Sequence, residues 1–367
     1  MSFEHADALG PDLVIHIHRP AVGLRAILVV DNVACGPAIG GCRMAPDVTL
    51  AECFRLARAM TFKNAAAGLA HGGGKSVIAA DPRMPAAEKE RLIRAFARAI
   101  GDVRDYIVGP DMGTDERCMA HAHDEIGRAV GLPAELGGIP LDELGATGFG
   151  LAICAEEAHR AAGVALDGAR VAIQGFGAVG RHAARFLAER GARVVAASDS
   201  AACVSAPDGL DVETLIAHKA RTGSVGGLSG ATTGASEAVV DVDCELWIPA
   251  ARPDAVRADN VDRLRAKVIV PGANIGVTDE AERMLAARGV LVMPDYIANA
   301  GGVICAAVEY HGGTRAQAFA TIEERIRANS LEVLARAREE NLRPRQAADR
   351  MARERVESAM QVRRFGH

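Results

Sequence analysis

Two lysines, Lys63 and Lys75, stand twelve residues apart in segments that otherwise carry little charge. The first lies in Met60-Thr61-Phe62-Lys63-Asn64-Ala65-Ala66-Ala67-Gly68-Leu69, the second in Gly72-Gly73-Gly74-Lys75-Ser76. A lysine in such a setting either snorkels its ammonium into water or is held for use. The run Gly72-Gly73-Gly74-Lys75-Ser76 suggests a triphosphate-binding loop, but that loop needs a glycine five positions before its last one, where this chain has Leu69. Triphosphate chemistry therefore fails on spacing.

A second glycine pattern has the right surroundings. Gly175-Phe176-Gly177-Ala178-Val179-Gly180 follows an apolar strand pattern and opens a helical one. The first glycine permits a tight turn, the second lets a pyrophosphate approach the backbone, and the third lets helix and strand pack closely. The anion would then rest on the amides of the helix N-terminus. Asp199 lies 19 residues past Gly180, at the end of the next predicted strand, where a carboxylate accepts hydrogen bonds from a ribose diol. A 2′-phosphate would be repelled there, and Ser200-Ala201-Ala202 offers no arginine to receive one, so NAD is expected rather than NADP.

These residues need elements to hold them. Strands are predicted at 12–18, 25–30, 77–80 and 106–108, with helices from Thr49 to about Met60 and from about Pro85. Thr49 with Glu52 makes a capping box for the first helix. Residues 132–148, rich in glycine and proline, read as a hinge. Beyond it, a helix from Phe149, a strand at 169–174, a helix at 180–190 and a strand at 192–198 are followed by strands at 246–248, 267–270 and 290–293. Such repetition implies α/β architecture with a doubly wound parallel sheet, the Rossmann arrangement, in this half. The tail, 322–360, mixes glutamate and arginine at helical spacing and breaks at Pro344, as a solvated helix pair packing back on the body would.

Composition excludes several classes. Hydrophobic residues make up 49% and charged residues 24% of 367, with a net charge of −5, so neither disorder nor a nucleic-acid or anionic-membrane partner is expected. No apolar run approaches the roughly 20 residues that cross a bilayer. The start, Met1-Ser2-Phe3-Glu4-His5, shows no export or transit pattern, and eight scattered cysteines without a Cys-x-x-Cys pair suggest reduced thiols in a cytoplasm. Cys118, His121, His123 and Asp124 do not make a metal site on a helix, because His121 and His123 would point about 200° apart. His71 is expected to face solvent.

The stretches Gly36-Pro37-Ala38-Ile39-Gly40-Gly41-Cys42-Arg43-Met44, Thr61 to Leu69, Gly72 to Lys75, Pro110-Asp111-Met112-Gly113-Thr114, Ala146-Thr147-Gly148-Phe149-Gly150, Pro271-Gly272-Ala273-Asn274 and Pro294 to Val303 resemble, collinearly, the Glu/Leu/Phe/Val amino-acid dehydrogenase family. Its leucine/valine/phenylalanine branch fits best. The resemblance implies that Lys63 pairs with the substrate α-carboxylate, that Lys75 is the catalytic amine, and that Asp111 shuttles a proton to or from the amino group. Gly40 and Gly41 would let the chain approach the substrate. Thr147 and Asn274 would face the nicotinamide, with Asn274 also near the substrate amine. An L-amino acid would lose hydride from Cα to NAD, and hydration of the iminium would give a 2-oxo acid and ammonia. Lys75, when neutral, would deprotonate the attacking water and, when charged, would stabilise the carbinolamine oxygen. A homo-oligomer is implied by the resemblance alone.

Glutamate-specific relatives have a lysine at the position of Ile39, so an apolar substrate is expected here. Gly109, Val303 and Ala306 would line the side-chain pocket with Ile39, and the small Gly109 and Ala306 suggest a pocket wider than valine needs. Cys42 and Cys305 would lie nearby without features of an activated thiolate. Residues 1–135 with 331–367 are expected to form the substrate and oligomerisation domain, and 140–330 the NAD domain, with the chemistry in the cleft between them. Two rivals remain: a 2-hydroxy-acid dehydrogenase, which would want an arginine and a histidine instead, and an NAD-sensing module without catalysis.

Overall fold

The structure, a computed structural model, describes residues 4–363. It has two compact units, each with its own sheet. The first comprises the chain up to Leu141, Val303–Ala318 and the residues from Asp349 on; the second comprises Asp142–Gly302 and Phe319–Ala348.

The first unit runs β1 (Leu13–Arg19), β2 (Leu24–Asn32), β3 (Ala38–Ala45), α1 (Leu50–Ala66), β4 (Gly72–Ala79), α2 (Ala86–Ala99), β5 (Tyr106–Pro110) and α3 (Glu116–Ile126). The sheet order is β1-β2-β4-β3-β5, with β3 parallel to both β4 and β5 and β2 antiparallel to β4. Its central strands are apolar on both faces because both are covered. Leu28, Ile78, Phe96 and Met119 fill one side, and Val29, Val77, Cys53 and Ala57 fill the other, under α1. The Thr49 hydroxyl accepts from Glu52 N at 3.2 Å, which fixes the start of α1.

Three departures from the sequence reading bear on function. The sequence pattern predicts no strand over β3, which carries Gly40-Gly41 in its middle. Here the glycines are needed: a Cβ on Gly40 would lie 1.7 Å from the Gly74 carbonyl oxygen. Likewise β4 begins at Gly72 rather than Val77, so Lys75 stands in a strand and not in a loop. Helix α1 continues past Met60 to Ala66, which puts Lys63 in its last turn.

The second unit follows a short α4 (Leu141–Leu144) with α5 (Ala146–Ala161), β6 (Arg170–Gln174), α6 (Ala178–Ala188), β7 (Arg193–Ser198), β8 (Cys203–Ser205), α7 (Val212–Thr222), β9 (Thr232–Gly234), β10 (Leu246–Pro249), β11 (Val268–Ile269), α8 (Asp279–Ala287), β12 (Leu291–Val292) and α9 (Asp295–Ala298). The order β12-β11-β10-β6-β7-β8-β9 is parallel from β12 to β7, with β8 and β9 antiparallel additions. Trp247, Ala196, Ile269 and Leu285 are buried in its core.

Helices α10 (Gly301–Tyr310), α11 (Arg315–Glu339) and α12 (Pro344–Val362) each contribute residues to both units. The sequence reading returned the chain to the first unit at 331. Instead, Phe319–Ala348 stays with the second, because Ile326 packs against Gly150 and Arg327 pairs with Glu157 and, at 3.1 Å, with Glu156. Arg355 of α12 does fold back on the first unit, donating to the carbonyls of Ala65 and Ala66 at 3.2 and 2.8 Å. Among the described residues, no helix is long and apolar enough to cross a membrane.

Candidate active site

Strand register assembles the first cluster. Cys42 of β3 pairs with Ser76 of β4, and Gly41 pairs with Gly109 of β5, so Lys75, Gly41 and the residues leading to Asp111 lie side by side across three strands. Gly41 has no side chain to block the crossing: a Cβ there would lie 2.8 Å from Asp111 Cβ. The Lys75 ammonium therefore reaches over β3 and ion-pairs with Asp111 Oδ2. Both side chains are largely buried, with 6% and 16% exposed.

Arg43 holds the other oxygen. Its Nε lies 3.2 Å from Asp111 Oδ1, and its Nη1 lies 2.5 Å from Glu52. Met112 N also donates to Oδ1, at 2.6 Å. Burial alone would push the Asp111 carboxyl up, but the charges of Lys75 and Arg43 and the Met112 N–H outweigh it and hold the group below its ordinary value. The loop that carries it is closed by Thr114, whose hydroxyl accepts from Asp111 N at 3.0 Å and donates to the Cys42 carbonyl at 2.8 Å. Beneath the glycines, the Tyr106 hydroxyl donates to the Gly40 carbonyl at 2.8 Å.

Arg43 and Tyr106 had no role in the sequence reading. Residues 41 and 43 share a face once β3 is recognised as a strand, and that was the available signal for Arg43. Lys63 is half-buried at the end of α1. Its neighbour Asn64 donates to the carbonyls of Gly72 (2.6 Å) and Ile39 (3.2 Å), tying α1 to the starts of β3 and β4.

Ile39 is 3% exposed and packs with Ile107, Val130, Ala306 and Ala307. Leu69 and Tyr310 flank these apolar side chains. Val303 is half-buried on the same helix as Ala306. At Gly109, Val130 Cγ2 would stand 3.2 Å from a Cβ placed there. His71 also differs from expectation. It is buried, with Nδ1 3.0 Å from the Pro37 carbonyl and Nε2 3.1 Å from Nε2 of His311. Burial pushes the Cys42 and Cys305 thiols up to about 12, so neither is an activated nucleophile. Cys118 is buried and His121 lies against Glu90 and Arg94, within the packing of α2 on α3.

In the second unit the glycine loop turns from β6 into α6. Gly175 has φ +95, and a Cβ on Gly180 would lie 2.0 Å from the Gly175 carbonyl oxygen, so these two glycines serve the turn and the close helix packing. A Cβ on Gly177 would meet nothing within 4 Å. Open space at the N-terminus of an 11-residue helix, beside Phe176, Ala178 and Val179, fits a pyrophosphate. The loop is fixed by Gly175 N and Phe176 N donating to the Ser198 carbonyl at 2.9 and 2.8 Å.

Asp199, at the end of β7, is not a bare carboxylate. Its Oδ1 accepts from Ala201 N (2.9 Å), Ala202 N (3.1 Å) and Ser224 Oγ (3.3 Å), and its Oδ2 accepts from Lys219 Nζ and Val225 N, both at 2.8 Å. These donors occupy the lone pairs that a carboxylate offers. Burial raises its pKa, but Lys219 and the three backbone N–H groups outweigh that and hold it at about 2.

Thr147 lies in the first turn of α5, where Gly301 packs so closely that a Cβ would stand 2.1 Å from the Ala146 carbonyl oxygen. Asn274 is held by Asn299, whose Nδ2 donates to Asn274 Oδ1 at 2.9 Å. The next residue, Ile275, has φ +54, and its N–H donates to Asp295 Oδ2 at 2.6 Å. Asp295 in turn accepts from Arg345 at 2.9 Å, and Arg345 also meets Glu282 at 2.6 Å.

The sequence pattern described as "Glutamate/Leucine/Phenylalanine/Valine dehydrogenase" matches residues 137–364, and that described as "Glu/Leu/Phe/Val dehydrogenase, dimerisation domain" matches residues 11–128. A glutamate dehydrogenase of Aeropyrum pernix is 37% identical over 356 residues, covering 90% of this chain and 85% of that one. Among solved structures, hetero-hexameric glutamate dehydrogenase from Thermus thermophilus in its Leu-bound form superposes with TM-score 0.88 at 32% identity, over 97% of this chain and 91% of that one. L-tryptophan dehydrogenase from Nostoc punctiforme superposes with TM-score 0.76 at 27% identity, over 98% and 99%. Both NAD-specific and NADP-specific glutamate dehydrogenases are among the relatives.

Proposed function

Because the chain belongs to the glutamate/leucine/phenylalanine/valine dehydrogenase family and is an amino-acid dehydrogenase that uses a nicotinamide cofactor, we propose that it deaminates an apolar L-amino acid with NAD. The product is the corresponding 2-oxo acid. The relatives found by sequence are glutamate dehydrogenases, so the substrate reading rests on one observation. Ile39, at the position where glutamate-specific relatives have a lysine, is buried among the apolar side chains of Ile107, Val130, Ala306 and Ala307. A second carboxylate there would be desolvated without a counter-charge.

The roles of the chain's own groups follow from their chemistry. Lys63 supplies a fixed cation for the α-carboxylate. Lys75 and Asp111 form a proton-exchanging pair: Asp111 takes or returns the proton of the substrate amine, and Lys75 takes one from the water that adds to the iminium carbon. When Lys75 bears that proton, it faces the new carbinolamine oxygen as a cation. Gly41 leaves room for the Lys75–Asp111 pair over β3, and Gly40 lets β3 close on β4, so the space at these glycines is taken by the protein itself and not by the substrate. When bound, the nicotinamide supplies the hydride acceptor. The glycine loop at 175–180, Thr147 and Asn274 orient it, and Asp199 marks its adenosine end. A homo-oligomer in the cytoplasm completes this reading, in line with the matched dimerisation domain.

The test is NADH formation with a panel of L-amino acids that includes leucine, valine, phenylalanine, tryptophan and glutamate, repeated with Lys75→Ala. Turnover of an apolar member, lost in the variant, is expected. A preference for glutamate would overturn the substrate reading, and an unaffected Lys75→Ala would overturn the mechanism.

A further inference from the structure

One turn of helix beyond Ala306 stands a buried carboxylate that the proposed reaction does not use. Glu309 of α10 is 9% exposed and makes an ion pair with none of the described residues. Its partners are backbone. Oε1 accepts from Leu132 N at 3.1 Å, and Oε2 accepts from Ile139 N at 2.8 Å. Burial raises its pKa, while the N–H groups of Ile139, Leu132 and Gly131 work against that by favouring the charged form. A charge removed from water in this way is costly unless its hydrogen bonds are made, and here both oxygens make them.

The two donors are the ends of one loop. Between them the chain makes a short turn at Ala134–Leu136 whose last residue is exposed, whereas Leu132 and Ile139 are buried. The ends lie against each other: a Cβ on Gly138 would stand 1.8 Å from the Leu132 carbonyl oxygen. A single carboxylate thus clips both ends to α10, one oxygen for each. Val130 precedes the clipped segment by two residues. Its N–H donates to the Val108 carbonyl of β5 at 2.9 Å, and its side chain packs in the cluster of Ile39, Ile107, Ala306 and Ala307. Ala306 lies three residues before Glu309, on the same side of the helix. The place of Val130 is therefore set from β5 by the Val108 carbonyl and from α10 by the Glu309 clip.

We infer that Glu309 is a positioning residue for substrate choice: by clipping the ends of 132–139 to α10, it fixes how far Val130 stands from Ala306 and so how large a side chain the pocket takes. The inference rests on the reading of Ile39, Val303 and Ala306 as the side-chain pocket and deepens it. Glutamate suits this task because both of its oxygens accept. A glutamine would accept with one atom and turn an N–H toward the other donor, which releases one end of the loop and Val130 with it.

The test is the ratio of kcat/KM for phenylalanine to that for valine, a quantity independent of how much of the enzyme is folded. In Glu309→Gln this ratio should rise about tenfold, the weight of a methylene in an apolar pocket, because the wall recedes from a small side chain and yields to a large one. The change should lie in KM for the amino acids, with KM for NAD held. Glu309→Asp keeps both acceptors and should leave the ratio nearer its original value. Faster hydrogen exchange over residues 130–140 in Glu309→Gln, read by mass spectrometry on the whole protein, is expected alongside. A ratio unmoved in Glu309→Gln, whatever stability or exchange protection is lost, would overturn the inference and leave the pocket reading standing. Preference of the unaltered protein for glutamate, or turnover of no apolar amino acid, would overturn the pocket reading and this inference with it.

Discussion

Lys75 and Asp111 form a buried ion pair across a strand that lies between theirs, and the pair exists because Gly41 on that strand has no side chain. The arrangement concentrates a proton-exchanging pair at the glycine-rich edge of three strands. Replacing either partner should therefore cost turnover. Lys75→Ala or Asp111→Asn is expected to lower kcat by about 10²–10⁴-fold, the usual weight of general acid–base catalysis. Steady-state NADH formation measures it, and a circular-dichroism melt run alongside separates lost chemistry from lost fold.

Arg43 should govern the pH at which that pair works. The Asp111 carboxyl is held below its ordinary value against its own burial, with Lys75 and Arg43 supplying the lowering charges. The stabilisation from its pairing is present above the unfolded value of roughly 3.9 and lost as pH falls through the lower folded value. Arg43→Met removes one lowering charge, so the acid limb of the kcat/KM profile should move to higher pH. A profile that keeps its limb in place would show that Asp111 is not the group titrating there.

Adjacent glycines should behave differently. On Gly40 a Cβ would overlap the Gly74 carbonyl oxygen at 1.7 Å, so Gly40→Ala should part β3 from β4 and destabilise by about 2 kcal/mol or more, as overpacking does. On Gly41 a Cβ would meet Asp111 Cβ and the Pro110 carbonyl oxygen at 2.8 Å and Asp111 Oδ2 at 2.9 Å, wider separations than at Gly40. Gly41→Ala is expected to cost less stability than Gly40→Ala and to lose most of the turnover, because it displaces Asp111. Urea unfolding and kcat on the same two variants distinguish them.

Substrate choice should turn on Ile39. Ile39→Lys buries an ammonium among Ile107, Val130, Ala306 and Ala307. Apolar amino acids should lose about tenfold or more in kcat/KM, because a desolvated, unpaired charge faces their side chains. Glutamate, which would pair with it, should gain. Comparing the ratio of the two kcat/KM values before and after the change gives the result, and an unmoved ratio would place the side-chain pocket elsewhere.

The cluster behind Asn274 should be structural in weight and functional in effect. Glu282 and Asp295 have side chains only 4% and 7% exposed, and Arg345 bridges them. Arg345→Ala leaves two buried carboxylates short of their counter-charge and should cost about 3–5 kcal/mol, read from denaturant unfolding. The milder Asp295→Asn frees Ile275 N–H from its charged acceptor. If the positive φ at Ile275 holds Asn274 in place, this change should raise KM for the coenzyme more than it lowers stability.

Much was fixed by local pattern. The strand-loop-helix order around Gly175, the capped start of α1 at Thr49 and the helical tail broken at Pro344 are all written in short-range residue choices. Backbone sterics and periodicity act within a few residues, so a sequence carries them openly. The family's motifs likewise marked Lys75, Asp111 and Ile39 as residues of interest.

Other features depended on which distant segments meet. Gly40-Gly41 lies outside the strands that local pattern predicts, and only where β4 and β5 flank it does Arg43 face Asp111, 68 residues away. His71 was expected in solvent, yet His311, 240 residues on, covers it. A side chain at Gly109 would press on Val130, 21 residues further along the chain. Asp199 looked free to bind a diol until Lys219 and the loop at 224–225 folded onto it. Residue type sets which charges a chain can offer. How those charges are spent depends on burial and pairing between segments, which only the folded chain decides.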